Sequence, residues 1–276
     1  MSITDTSKDY LNADEIKKEE LGLLIEFRRL CKENNLRYAL CGGTLLGAIR
    51  HRGFIPWDDD IDVNMPRPDY NRLIQMHKEG FFANKRFDIV PNIESEVGSG
   101  FILKFVARDI VVKEHYRKEL RNLWVDIIPV DGLPSESTAC DVLYARNAKL
   151  RRIVVMGYAD TRYGRSLSHK IIKNIYHLVD KDRWITHRCE KELLANSIAL
   201  PYEQSDYIGA VTWGLYGSGE RMLRKEYENF VPVSFEGEEF NAPSCWDSYL
   251  RGIYGDYMQL PPAEKRMTHE LEAWRV

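Results

Sequence analysis

The feature that most constrains the fold is the run from Leu36 to Met65, where an apolar segment, two glycines, a short helical pattern and an acid-rich segment follow in order. "LRYALC" has the length and apolar content of a short buried strand, and it runs straight into Gly42 and Gly43. Paired glycines permit backbone conformations and close approaches that side chains forbid. Thr44 is expected to open a helix through "TLLGAIRH" that Gly53 ends. Amides at a helix start favour phosphate and the threonine hydroxyl adds one donor, although a plain strand-to-helix turn would use the same residues. After a loop through Pro56, "DIDVNM" reads as a second strand, whose pleat would set Asp60 and Asp62 on one side. One divalent ion can bridge such a pair. Asp58 and Asp59 precede them, a density of negative charge that calls for a compensating cation. An isolated Asp-x-Asp occurs as readily in a surface loop, so the glycine turn ahead of it carries the argument.

The surrounding chain supplies the rest of a mixed layer structure. Ile16, Leu23, Leu24, Phe27, Leu30 and Cys31 recur at helical spacing, with Asn12 and Glu15 placed as a capping box and Asn34-Asn35 as the stop. "RPDYNRLIQMHKEG" predicts a helix with Pro68 in its first turn and Gly80 past its end. "RFDIV", "GFILKFVARD" and "LWVDIIPV" follow as strands. From Ser137 to about Ala199 three helices are expected, broken near Gly164 and Asp180, and "FVPVSFEGEEFNAP" reads as a hairpin. The class is α/β or α+β, divided as a core over residues 1–135, a helical region over 136–205 and a C-terminal region over 206–276.

Composition narrows the function classes. A formal net charge of -3 gives no global attraction for nucleic acid. The five cysteines are odd in number and without a CxxC pair, so they read as reduced thiols. The polar N-terminus lacks the apolar stretch of a signal peptide, and no window approaches the roughly 20 apolar residues of a spanning helix. A cytoplasmic protein is expected, with attachment to the inner face of a membrane left open. The stretch from Arg146 to Lys191 is locally basic, which suits either a solvated helical face or contact with an anionic membrane.

Strand, Gly-Gly-Thr, helix, loop and a strand with Asp-Ile-Asp resembles the ordered signature of the nucleotidyltransferase superfold. More specifically, "GGTLLGAIRHRGFIPWDDDIDV" resembles the central motif of the LicD family of phosphotransferases. "LWVDIIPVDGLP" and "SYLRGIYGDYMQLPPAEKRMTH" resemble that family's second and C-terminal blocks, so recognisable motifs span Gly42 to His269. The resemblance implies a nucleotidyltransferase-like core with a mixed β-sheet and an appended helical region. Fukutin and fukutin-related protein share that fold and use CDP-ribitol. The implied activity moves a phosphoryl-alcohol, most often phosphocholine from CDP-choline, onto a sugar hydroxyl of a lipid-linked glycan or teichoic acid precursor, releasing CMP. It would require Mg²⁺, with Mn²⁺ as a substitute, to neutralise the donor pyrophosphate. Nucleotidyl transfer from an NTP and a catalytically silent glycan-binding scaffold are the competing readings.

The remaining candidates take their roles from this frame. Asp126 lies in the apolar run "LWVDIIPV", where a carboxylate is costly unless paired, hydrogen-bonded or metal-bound. In the superfold the third carboxylate comes from such a strand, so Asp126 joins Asp60 and Asp62 as a metal ligand, or else accepts the proton of the attacking hydroxyl. Asp131 in "VDGLP" reads as structural. Arg50, chosen over His51 and Arg52 from its place in the family motif, is assigned with Gly42, Gly43 and Thr44 to the donor phosphates. Lys104 interrupts an apolar strand and either snorkels at an edge or joins that charged site. Trp57, Trp213 and Tyr216 could stack on cytidine or face a quaternary ammonium, and His269 could touch donor or metal.

Overall fold

The structure is a computed structural model that describes residues 8–114, 119–163, 166–262, 264, 266 and 271–276. It opens with β1 (Asp9–Leu11) and α1 (Ala13–Glu33). The expected capping box is present: the Glu15 N–H donates to Asn12 Oδ1 at 3.0 Å, and the Asn12 N–H donates to Glu15 Oε2 at 2.8 Å. β2 spans only Ala39–Leu40 and leads into α2 (Gly42–His51), β3 (Asp62–Pro66) and α3 (Arg67–Lys78). β4 (Phe87–Pro91), β5 (Leu103–Glu114) and β6 (Arg121–Leu133) follow. The three helices expected next are α4 (Ser137–Tyr158), α5 (Leu167–Val179) and α6 (Trp184–Ser197).

Among the described residues, nine strands join in one mixed sheet with the central order β1-β11-β5-β6-β3-β2. β4 pairs with β5, and the short β7 (Tyr207–Gly209) joins β6 to β8 (Met222–Leu223). The short helix α7 (Arg224–Tyr227) leads to the hairpin of β9 (Phe230–Phe235) and β10 (Glu238–Pro243), which turns at Glu236-Gly237. α8 (Trp246–Tyr254) then precedes β11 (Leu271–Arg275), which lies between β1 and β5 and brings the two ends of the chain into the sheet. The main core forms where α1, through Leu23, Leu24 and Phe27, covers strand residues such as Phe105, Val125 and Ile127. A smaller cluster of Leu150, Val154, Cys189 and Leu193 seals α4 and α6 against Ile93 and Phe101. All five cysteines are buried and unpaired.

Three local expectations are corrected. α2 begins at Gly42 rather than at Thr44, so the glycines themselves form its first turn, and it ends on Arg52 in the left-handed conformation rather than on Gly53. Only Gly42 of the glycine pair has a positive φ, of +52°. Asp60 also stands outside β3: β2 turns into α2 at once, so pairing on that side stops at Leu40 with Val63, and the regular strand starts at Asp62.

Candidate active site

β3, β6 and β5 are adjacent, and their register places Asp62 opposite Asp126 and Asp126 opposite Lys104. Residues in such a row project from the same face of the sheet. The Lys104 ammonium donates to both Asp126 oxygens, at 2.8 and 3.1 Å, and lies 3.8 Å from the centroid of the Trp124 ring. Trp124, two residues before Asp126 and thus on the same face, donates its Nε1–H to Asp126 Oδ2 at 3.0 Å. Lys104 therefore points into the charged site, and burial there pushes its ammonium below the usual lysine range even against the pull of Asp126.

The N-terminus of α2 faces this row across a cavity of about 200 Å³. Gly42, Gly43, Asp60, Asp62 and Asp126 line it, as do Trp213 and Tyr216. Cys41, at the cap position, contributes no side-chain bond to the first turn. The first amides of a helix have no acceptor within it, so this turn offers donors to the cavity. The Gly42 N–H meets the Tyr249 hydroxyl at 3.4 Å. A Cβ on Gly43 would stand 2.5 Å from Asp58 Oδ2, so the acid-rich loop lies directly against the turn. Thr44 is buried, and its hydroxyl accepts the Asp62 N–H at 2.8 Å. Its part in the structure is to tie α2 to β3 and fix the distance between turn and carboxylates.

Charge in the cavity is strongly negative. Burial pushes the Asp62 carboxyl well above the usual range, and Asp60, Asp126 and Asp58 push it further. Glu220 is buried in the cavity wall, where desolvation raises it to about 7 against the pull of the Tyr216 N–H and Arg151. Glu20 of α1 is buried as well, with Oε2 lacking a hydrogen-bond partner among the described residues; burial raises its pKa, followed by Asp60 and Asp59. Among the described residues, no three Asp, Glu, His or Cys side chains converge on a point where they could hold a metal as they stand. The chemistry of the set nevertheless suits a hard divalent cation. Its donors are carboxylate oxygens, and the repulsion that raises Asp62 is what such a charge relieves.

Other sequence candidates fall elsewhere. Arg50 donates through Nη1 to the Tyr257 carbonyl at 2.6 Å and through Nε to His51 Nε2 at 2.9 Å, away from the cavity lining. Trp57 meets the edge of His51 and carries Arg266 4.7 Å over its ring. His269 lies outside the described residues. Asp131 accepts two bonds from Arg67, at 2.6 and 2.8 Å, and both residues are buried, in keeping with a structural role.

Sequence reasoning missed Asn64, Glu220, Tyr249 and Tyr254, all of which line the cavity. Asn64 could have been found, since it is two residues beyond Asp62 on the same strand face. Glu20 also left a signal, an acid four residues after Ile16 within the apolar stripe of α1. Glu220 and the tyrosines reach the cavity only through tertiary folding. Tyr254 packs edge-on to Tyr216 at 5.2 Å, making a small aromatic wall of the cavity.

Comparisons with known proteins agree with this architecture. The family model described as LicD/FKTN/FKRP, nucleotidyltransferase domain, matches residues 35–146, from just before β2 into α4. The lipopolysaccharide cholinephosphotransferase LicD of Haemophilus influenzae is 32% identical over 254 residues, covering 91% of this chain and 93% of that protein. Uncharacterized proteins of Rickettsia prowazekii and Rickettsia typhi match shorter stretches, at 43% over 54 residues (20% of each chain) and 45% over 47 residues (17% of this chain and 15% of that protein).

Proposed function

The chain belongs to the LicD family of phosphotransferases, and on that premise we propose that it transfers phosphocholine from CDP-choline to a sugar hydroxyl of a cell-surface glycan precursor, releasing CMP. The observation that carries this reading is the pairing, in one cavity, of the N-terminus of α2, to which the cap residue Cys41 makes no side-chain bond, with a carboxylate row. The amides of the Gly42–Thr44 turn receive donor phosphate oxygens, which the positive end of α2 favours. Asp60 and Asp62 would hold Mg²⁺ or Mn²⁺, with Asp126 completing the set. An ion bound there supplies neutralisation of the pyrophosphate charge.

The acceptor oxygen attacks the phosphorus that bears choline, forming one P–O bond as the bond to CMP breaks. Asp126 lies in the same row as Asp62 and, in the alternative to completing the metal set, takes the proton of the attacking hydroxyl. Lys104 and Trp124 fix the orientation of its carboxylate. Trp213, Tyr216 and Tyr254 form the aromatic side of the cavity, suited to a quaternary ammonium or a pyrimidine. The Haemophilus influenzae relative is a lipopolysaccharide cholinephosphotransferase, which makes lipopolysaccharide the first acceptor to try and teichoic acid precursors the second.

The test is a donor screen. Protein, Mg²⁺ and acceptor are incubated with CDP-choline, CDP-ribitol, CDP-glycerol or NTPs, and CMP and pyrophosphate are measured. CMP from CDP-choline that depends on acceptor and disappears in EDTA is the expected result. Pyrophosphate from an NTP would overturn it in favour of nucleotidyl transfer, and calorimetric CDP-choline affinity unchanged by Mg²⁺ would remove the metal from donor binding.

A further inference from the structure

Helix α5 carries its apolar side outward. Leu167, Ile171, Ile175 and Leu178 form one stripe along it, with Ile172 and Val179 beside them, and these six side chains are 51% to 78% exposed. No residue of α5 is buried. Lys173, Tyr176 and His177 face the protein instead. Lys173 donates to the carbonyls of Tyr163 at 2.8 Å and Asp160 at 3.2 Å, and the His177 ring contacts the Met156 carbonyl at 3.0 Å. The Tyr176 hydroxyl reaches Asp180 and Thr186, both at 3.1 Å. Asp180 in turn accepts the N–H groups of Ile185 and Thr186 that start α6. Rotating α5 to hide its leucines and isoleucines would break this set of bonds, so the outward apolar face is fixed by the fold. Six large aliphatic side chains contiguous on a surface mark a contact site.

The rim of the face identifies its occupant. Trp184, 66% exposed, stands at the start of α6, and Arg188 lies 5.7 Å over its ring. Arg162, Lys181, Arg183 and Arg188 are exposed, with the half-buried Lys170 on α5 itself. The acids nearby include Asp160, ion-paired to Arg162, Glu119, whose charge also acts on Arg162, the buried Asp180, and Asp182. An apolar stripe edged by cations and a tryptophan matches the chemistry of an anionic lipid surface. A second copy docked by a two-fold axis would set this cationic rim against itself. With 13 residues, α5 is about 20 Å long, short of the roughly 30 Å of a bilayer core. Among the described residues, no helix is long and apolar enough to cross a membrane.

We infer that α5, with Trp184 and the flanking arginines and lysines, is an interfacial docking surface for anionic membranes, lying in the headgroup plane. This rests on α5 and its neighbours alone and does not depend on the phosphocholine reading.

Vesicle co-sedimentation tests it, with phosphatidylcholine alone and with phosphatidylcholine containing phosphatidylglycerol. The full chain should sediment with the anionic vesicles and be released by salt. The Leu167→Ser, Ile171→Ser, Leu178→Ser triple variant, which touches only exposed positions and should keep its circular dichroism and CMP release, should lose about tenfold or more in partitioning. Lys181→Glu with Arg188→Glu should weaken binding to the anionic vesicles alone. Sedimentation of the triple variant equal to wild type would overturn the proposal. So would absence of vesicle binding together with a dimer, seen by analytical ultracentrifugation, that the triple variant abolishes.

Discussion

Glu220→Gln should make the protein more stable at neutral pH than the wild type, by an amount that grows with pH. The Glu220 carboxyl has an ordinary value of 4.5, and burial raises it to about 7 in the folded chain. Between those two values the folded state binds more protons than the unfolded state, so stability falls as pH rises. The contribution is intact below about 4.5, is lost progressively up to about 7 and is constant above that. At about 1.4 kcal/mol per pH unit, the whole loss is about 3 kcal/mol. Because the side chain is 5% exposed, solvent screening removes little of it. Glutamine keeps an oxygen to accept the Tyr216 N–H, as Glu220 does at 3.4 Å, and never ionises. Urea unfolding in EDTA at pH 5 and pH 8 measures the effect. The variant should be within about 1 kcal/mol of wild type at pH 5 and ahead by roughly 3 kcal/mol at pH 8. Parallel pH dependences for the two proteins would refute the assignment of a raised pKa to this carboxylate.

Asp62→Asn should lower turnover by about two to three orders of magnitude, the scale of several kcal/mol of lost charge stabilisation, while the metal-free melting temperature stays level or rises because a repelled carboxylate is gone; near-normal CMP release would sink its role. Gly43→Val places a side chain where even a Cβ would stand 2.5 Å from Asp58 Oδ2, so calorimetric affinity for CDP-choline should fall steeply, and an unaltered dissociation constant in a folded variant would show that the turn does not hold phosphate. Arg67→Met strands the buried Asp131 carboxylate and should cost about 3 to 5 kcal/mol in urea unfolding; a loss under about 1 kcal/mol would mean that the pair is not needed for stability.

Where local order carried the information, the chain could be read directly. Asn12 and Glu15 announced the start of α1, Pro68 and Gly80 bracketed α3, and Asp180 marked the break between α5 and α6, because caps and helical periodicity act over a few residues; Gly164, the other expected break, lies outside the described residues. The Gly-Gly turn and the acids of "WDDDID" could be placed in one neighbourhood for the same reason, since only a short helix and loop separate them. Lys104 and Asp126 were legible in the residues themselves only as charges in apolar strands; the family resemblance grouped Asp126 with Asp60 and Asp62, and Lys104 was divided between an edge and that site. Pairing of β3 with β6 and of β6 with β5 joined them to Asp62 in one row, and register is a property of the sheet, not of any segment. Glu220, Tyr249 and Tyr254 come from well over a hundred residues along the chain and enter the cavity through folding of the C-terminal elements. The outward face of α5 was likewise decided by tertiary structure. Its periodicity is that of an ordinary core-packing helix, and only the bonds of Lys173, Tyr176 and His177 to their neighbours turn the polar side in and leave the apolar side exposed.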